Sequence, residues 1–235
     1  MAELVTYELE QGVATITMDD GKVNVLSPRM LGAINGALDR ALEDGAAVSL
    51  TGRSAVFSAG FDLATLLAGG QGAVDMVRAG FELAERVLSL PTPVVIACPG
   101  HAVAMASFLL LTGDYRVGTS GPYRITANEV AIGLTMPHAA IEICRQRLIP
   151  AALNRALILA EVFSPEDAVA AGFLDRVVPV ADLASVAAEA ARALAPLDRR
   201  ALAATKQRLR APALRAIRAA IEADASGLPA PAEAT

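Results

Sequence analysis

Two stretches of this chain have the residue types to aim backbone N–H groups into a cavity. Ser58-Ala59-Gly60-Phe61-Asp62-Leu63 follows the apolar run Ala46-Ala47-Val48-Ser49-Leu50 and a turn at Thr51-Gly52-Arg53. A strand, a tight loop centred on glycine and a helix start capped by Asp62 would point an amide at negative charge developing on a carbonyl oxygen. Pro99-Gly100-His101-Ala102-Val103-Ala104-Met105-Ala106 follows the same logic: a buried strand, a glycine turn, then the first residues of a buried helix. The first N–H groups of a helix have no internal partner, and the helix dipole favours an anion there. Each stretch alone reads equally well as an ordinary strand-to-helix turn in a packed core.

The elements that must carry these loops are legible from periodicity. Leu4 to Leu9 and Val13 to Met18 alternate around Gln11-Gly12, a hairpin signal. Ser27-Pro28 caps and opens a helix whose apolar stripe, Leu31, Ile34, Leu38, Ala41 and Leu42, runs to about Asp44. A strand is expected over 46–50 and a helix from about Ala73 to Leu90, stopped by Pro91-Thr92-Pro93. Val94 to Ala97 is the next strand, Gly100 opens a loop, and 104–112 is a helix apolar all round, hence buried. Short strands follow at Tyr115-Arg116-Val117 and Tyr123-Arg124-Ile125. Strands alternating with helical crossovers predict a mainly parallel sheet. Ser164-Pro165-Glu166-Asp167 starts a further helix, Gly172 ends it, and Leu174 to Val178 is a strand. From Asp182 to about Ala225 the chain reads as helical, broken at Pro196 and Pro212, with a frayed tail beyond. The expected division is an α/β core over 1–180, a helical region over 181–226 and a flexible tail over 227–235.

Composition narrows the function classes. The chain has 235 residues, 54% of them hydrophobic, and a net charge of −5. That acidic balance argues against nucleic acid or an anionic membrane as a partner, and the apolar excess hints at buried subunit contacts. Cys98 and Cys144 both sit in apolar surroundings and read as buried free thiols of a reducing compartment. His101 and His138 stand alone, so no metal site is expected. The N-terminus lacks a basic start and a long apolar run, and the longest apolar run, Ala102 to Leu111, falls well short of the roughly 20 residues of a membrane span. A soluble, cytoplasmic protein is the expectation.

The chain resembles the crotonase superfamily, also called the enoyl-CoA hydratase/isomerase family. The resemblance runs from about residue 4 to 210. It rests on Asn24 in a Lys-Val-Asn-Val-Leu loop, the Ala-Gly-Phe-Asp-Leu motif, and Pro93-Val-Val-Ile-Ala followed by Gly100-x-Ala. Asp114-Tyr-Arg116, Asn128-Glu129 with Gly133, and the Ala168–Val178 segment complete it. It implies a crotonase-like (ClpP/crotonase) α/β fold, a spiral of ββα units with a helical C-terminal trimerisation region packing on a neighbour. A homotrimer or hexamer is implied too, and an acyl-CoA thioester as substrate with no separate cofactor. By motif position, the backbone N–H groups of Phe61 and Met105 would form an oxyanion hole for the enolate, each such donor being worth roughly 3–4 kcal/mol of barrier. Lys22, Val23, Val25 and Ala59 would line the CoA, Lys206 would meet its phosphates, and Arg53 is a further candidate. Leu66, Leu67, Phe108, Leu134 and Pro137, with Phe61, would form the acyl pocket.

The departures from the family pattern choose among reactions. Ala104-Met105-Ala106 replaces a run of glycines, which leaves the N–H donor intact because only proline lacks one. Phe108 stands where hydratases of the family carry one catalytic glutamate; Glu129 matches the other. Water addition across a 2-enoyl thioester uses two acids, whereas moving a double bond from position 3 to position 2 needs one base that takes a proton from C2 and returns it at C4. The expected function is therefore an enoyl-CoA isomerase with Glu129 as sole acid/base. A non-catalytic acyl-CoA-binding protein and a hydratase are the alternatives. His138, beside Pro137, is expected to be structural.

Overall fold

The computed structural model describes residues 3–227. The expected tail over 227–235 lies, from residue 228 onward, outside the described residues.

The hairpin forms as its alternation requires. β1 (Val5–Glu10) pairs antiparallel with β2 (Val13–Met18), and the two turn residues Gln11 and Gly12 both take positive φ, 50° and 76°, the left-handed pair that matches strand twist. Helix α1 (Pro28–Glu43) starts at Ser27, whose hydroxyl accepts from Met30 N, and buries Met30, Leu31, Ile34, Leu38 and Ala41 at helical spacing. Each fully buried large side chain of that stripe is worth about 1.5–3 kcal/mol. The chain then alternates β3 (Ala47–Thr51), β4 (Ala55–Ser58), α2 (Leu63–Ala68), α3 (Gly70–Ser89), β5 (Val94–Cys98), β6 (Gly100–Val103), α4 (Met105–Leu110), β7 (Tyr115–Thr119) and β8 (Ile125–Thr126). A 3-10 turn (Val130–Ile132), α5 (His138–Arg145), α6 (Pro150–Leu157), α7 (Pro165–Ala171), β9 (Arg176–Val178), α8 (Leu183–Leu194) and α9 (Arg199–Gly227) complete it.

The strands sort into two sheets. The larger has the order β1-β2-β3-β5-β7-β9, parallel from β2 onward; the smaller is β4-β6-β8, all parallel. Successive turns of the spiral thus deposit one strand in each sheet, the crotonase-like arrangement the sequence reading expects. The smaller sheet is not foreseen in full. β4 follows the Thr51-Gly52-Arg53 turn as four residues, and β6 occupies the stretch read as a loop opened by Gly100. Strands this short carry almost no alternation to detect, and only pairing with each other defines them.

Two further expectations change at the C-terminus. Pro196 does separate α8 from α9, but Pro212 lies inside a continuous α9. Tertiary packing holds that helix through its missing hydrogen bond: α9 runs along α3 and α5, with Ile217 and Ile221 buried. The C-terminal helices therefore fold back on their own chain. α8 covers the larger sheet, burying Leu183, Ala187 and Ala191 against Val95, Ala97 and Val117. Among the described residues, no helix is long and apolar enough to cross a membrane. Cys98 and Cys144 are both free and buried.

Candidate active site

The two glycine loops meet. β4 pairs with β6 in a register that shifts between Val56 and Ser58, a bulge that turns the chain out of the sheet just before Ala59. Gly60 then takes φ +87°; a Cβ on it would lie 2.8 Å from Val103 O, 3.0 Å from Ala104 Cβ and 3.2 Å from Met105 N. Only glycine permits that approach, so the loop carrying Phe61 is seated directly on the loop carrying Met105. The first loop is pinned by Gly60 N donating to Ser58 Oγ (3.0 Å) and Leu26 N donating to Gly60 O (2.8 Å). Asp62 caps α2 as expected, accepting from Ala64 N at 3.1 Å. Phe61 N and Met105 N meet no protein acceptor among the described residues.

The second loop stores strain. Ala104 takes φ 51° and ψ −127°, outside the regions that L-residues occupy freely. It is held there from both sides: its N–H donates to Thr126 O (2.9 Å), and its carbonyl accepts from Ser107 N (2.8 Å) and Ser107 Oγ (2.7 Å). The strain turns Met105 into the first residue of α4, with its N–H directed off the helix start. All six residues of α4 are buried, as the all-apolar sequence predicts.

Glu129 stands where β8 gives way to the 3-10 turn. It is 8% exposed, and its Oε2 is buried without a partner. Burial dominates and pushes its pKa up to about 7, against a smaller lowering by its own backbone N–H. Thr126 Oγ1 and Asn128 Oδ1 are likewise buried and unpartnered. Cys144 on α5 is close enough for the Glu129 charge to add to the effect of burial in raising its thiol. Gly133, with φ 82°, closes the turn, and Leu134 N returns to Glu129 O at 2.9 Å. Ala104 N donating to Thr126 O ties the strand that leads to Glu129 to the second amide loop, and a carboxyl poised near neutrality can take up or release a proton.

The residues expected to line CoA divide. Ala59 N donates to Val23 O at 2.9 Å, which places the Lys22–Val25 loop against the first amide loop. Asp20, absent from the sequence reading, knits that loop: its carboxylate accepts from Lys22 N (2.7 Å), Asn24 N (2.9 Å) and Val25 N (3.0 Å). Burial raises the Asp20 carboxyl, but those three N–H bonds and Arg53 outweigh it and hold it below the usual range. The aspartate-glycine turn Asp19-Asp20-Gly21 is the signal that marks it. Asn24 is fully buried with φ 54°, and its amide donates to Met18 O and Phe57 O. Lys22 and Val23 are exposed and Val25 half-buried. Arg53 donates to Lys22 O and pairs with Asp19.

Lys206 is a correction. It is 5% exposed, and its ammonium donates to Leu90 O (2.9 Å), Thr92 O (2.9 Å) and Asp114 Oδ2 (2.6 Å). All three protons are used inside the protein, leaving none for a phosphate. Helical periodicity does not show which face of α9 turns inward, and the buried one carries this lysine.

The expected acyl pocket divides as well. Leu66 and Pro137 are half-buried, and Phe108 is 1% exposed. Leu67 and Leu134 are corrections: α2 buries none of its residues and leaves Leu67 79% exposed, and Leu134, just past the 3-10 turn, is 47% exposed, so neither side chain is enclosed. His101 accepts from Arg124 N, and His138 pairs through Nδ1 with Asp224 at 2.8 Å, so both are engaged in structure.

Two glycine-seated loops, two unpaired amides and one buried carboxylate sit on the stacked βα turns of an α/β spiral. The family model described as enoyl-CoA hydratase/isomerase matches residues 8–233, and the chain belongs to that family, within the crotonase superfamily. It is 51% identical to the chain in the apo structure of an Mtb enoyl-CoA isomerase, with a TM-score of 0.93 over 97% of this chain and 100% of that one. Human mitochondrial delta3-delta2-enoyl-CoA isomerase is 28% identical, with a TM-score of 0.90 over 96% of this chain and 90% of that one. A probable enoyl-CoA hydratase of Rhodobacter capsulatus is 32% identical over 182 residues, 76% of this chain and 70% of that protein.

Proposed function

We propose that this protein shifts the double bond of a 3-enoyl-CoA to position 2. One observation carries the reading: Glu129 is a buried carboxylate with an unpartnered oxygen, and the second acid position is the apolar Phe108, packed in the core. The thioester oxygen accepts from Phe61 N–H and Met105 N–H. The Glu129 carboxylate removes a proton from C2, and the electron pair delocalises onto that oxygen as a dienolate. Protonated Glu129 then returns the proton at C4, leaving the double bond between C2 and C3. The step is redox-neutral, consumes no water and needs no cofactor. The CoA lies along the Lys22–Val25 loop and Ala59. The names of the relatives include both isomerases and hydratases, so the choice of reaction rests on the single carboxylate and not on the names.

The reading extends to a homotrimer or hexamer, since Val130, Ile132 and Leu134 and, separately, Ile158, Leu159 and Val162 leave large apolar side chains exposed. Sedimentation would read three or six protomers; a monomer would end that part of the proposal. Incubation with a 3-enoyl-CoA tests the chemistry. Appearance of the 2-enoyl product, lost in Glu129→Gln with binding retained, supports it. Binding without turnover indicates an acyl-CoA carrier, and 3-hydroxyacyl product from a 2-enoyl-CoA indicates a hydratase.

A further inference from the structure

Both amides of the site are held from behind. A trans peptide is planar, so its C=O and the N–H of the next residue point in opposite directions, and no peptide bond among the described residues is cis. Whatever grips the carbonyl therefore sets the direction of the amide. Phe61 N–H shares its peptide with Gly60 O, which accepts from Leu26 N at 2.8 Å. Met105 N–H shares its peptide with Ala104 O, which accepts twice from one residue, from Ser107 N at 2.8 Å and from Ser107 Oγ at 2.7 Å. The first grip is main chain alone; the second includes a side chain.

Ser107 is fully buried in α4, between the buried Ala106 and Phe108. A serine hydroxyl bonded to the carbonyl three residues back is a common local bond in helices, and elsewhere it only satisfies the hydroxyl. Here the carbonyl belongs to Ala104, whose φ of 51° and ψ of −127° are strained. The ψ torsion of Ala104 is the one that rotates this peptide plane, so relaxing it swings the Met105 N–H out of line. Two donors on one carbonyl also polarise the peptide and strengthen its N–H as a donor. We propose that Ser107 is a positioning residue: its hydroxyl holds the Ala104–Met105 peptide in its strained orientation and so aims the Met105 N–H at the thioester oxygen. It acts through that amide alone. The inference rests on the acyl-CoA reading of the site.

Ser107→Ala removes the hydroxyl and keeps the main-chain bond from residue 107, so no buried carbonyl is orphaned. Two readouts follow on protein shown to be folded by circular dichroism. With a 3-enoyl-CoA, kcat is expected to fall about tenfold to thirtyfold, short of the roughly 10²–10³ of a donor lost outright. KM stays within about twofold and the pH profile does not move. The second probe is hexanoyl-CoA carrying 13C at its thioester carbon, which has no double bond to move; infrared difference spectroscopy reads its bound carbonyl. Wild type lowers the stretching frequency relative to free hexanoyl-CoA. Ser107→Ala loses about half of that shift, because one of two donors is misaimed, and Ser107→Thr, which keeps the hydroxyl, restores it. If Ser107→Thr does not fold, Ser107→Ala decides alone. A full carbonyl shift in Ser107→Ala, a raised KM with unchanged kcat, or a folded Ser107→Thr that behaves like Ser107→Ala overturns the proposal. A wild type that shifts the carbonyl but turns over no 3-enoyl-CoA sinks the isomerase reading and leaves Ser107 to be judged by the infrared shift. A wild type that shifts no carbonyl sinks both.

Discussion

Glu129 is an acid held near neutrality by burial, and two measurable consequences follow. As the proposed base it must be ionised, so kcat/KM is expected to rise with pH through about 7 and then level off. Its folded pKa lies above the ordinary glutamate value of about 4.5. Between those two pH values the unfolded chain has released this proton while the folded one keeps it, so the group lowers stability as pH rises through that window and costs up to about 3 kcal/mol above it. Glu129→Gln should therefore lose turnover and gain stability at pH 8 but not at pH 4; chemical denaturation at both values checks the pair. Ala104 is the other residue under load. Replacing it with glycine relieves a strained φ/ψ at a smaller cost in chain entropy, with a net gain of about 1 kcal/mol expected as a raised Tm. A fall in Tm would show that its hydrogen bonds, rather than its dihedrals, dominate.

Helix α5 begins at Pro137, which offers no side-chain cap. Asp224, from α9, supplies one across 86 residues, accepting from His138 N and Ala139 N, each at 2.9 Å. Asp224→Ala should cost about 1–2 kcal/mol, the range of a lost cap, and fray the helix that flanks Glu129; amide exchange at residues 138–141 would report it. On α9 itself, exposed Pro212 interrupts the ladder, so Pro212→Ala should raise the melting temperature, by the equivalent of as much as about 3 kcal/mol. Local chemistry made many elements readable: the Gln11-Gly12 turn, the Ser27 and Ser164 caps, the Asp62 cap and the all-apolar α4 each sit as their residues predict. It failed for β4 and β6, which exist through mutual pairing, and at Pro212, where packing on α3 and α5 outweighs the local preference to break.

Across the whole molecule, one buried charge cluster ties the C-terminal helix to the core. Lys206 and Arg210 share Asp114, whose Oδ2 also accepts from Val94 N, and they cap the end of α3 through Leu90 O and Leu88 O. Lys206→Met leaves Asp114 short of its closest counter-charge and should cost about 3–5 kcal/mol. KM for a CoA thioester should stay within about twofold; a large rise in KM with unchanged stability would restore Lys206 to the CoA phosphates. By itself, the sequence determined the alternation of strands and helices, the two glycine-led amide loops and the single carboxylate among apolar neighbours, because these follow from residue type and short spacing. Tertiary structure alone decided what lies across the chain from what. It placed Gly60 against Met105, hid Lys206, and left Leu67 in solvent. Those outcomes depend on which faces of distant elements meet, and no local periodicity encodes that.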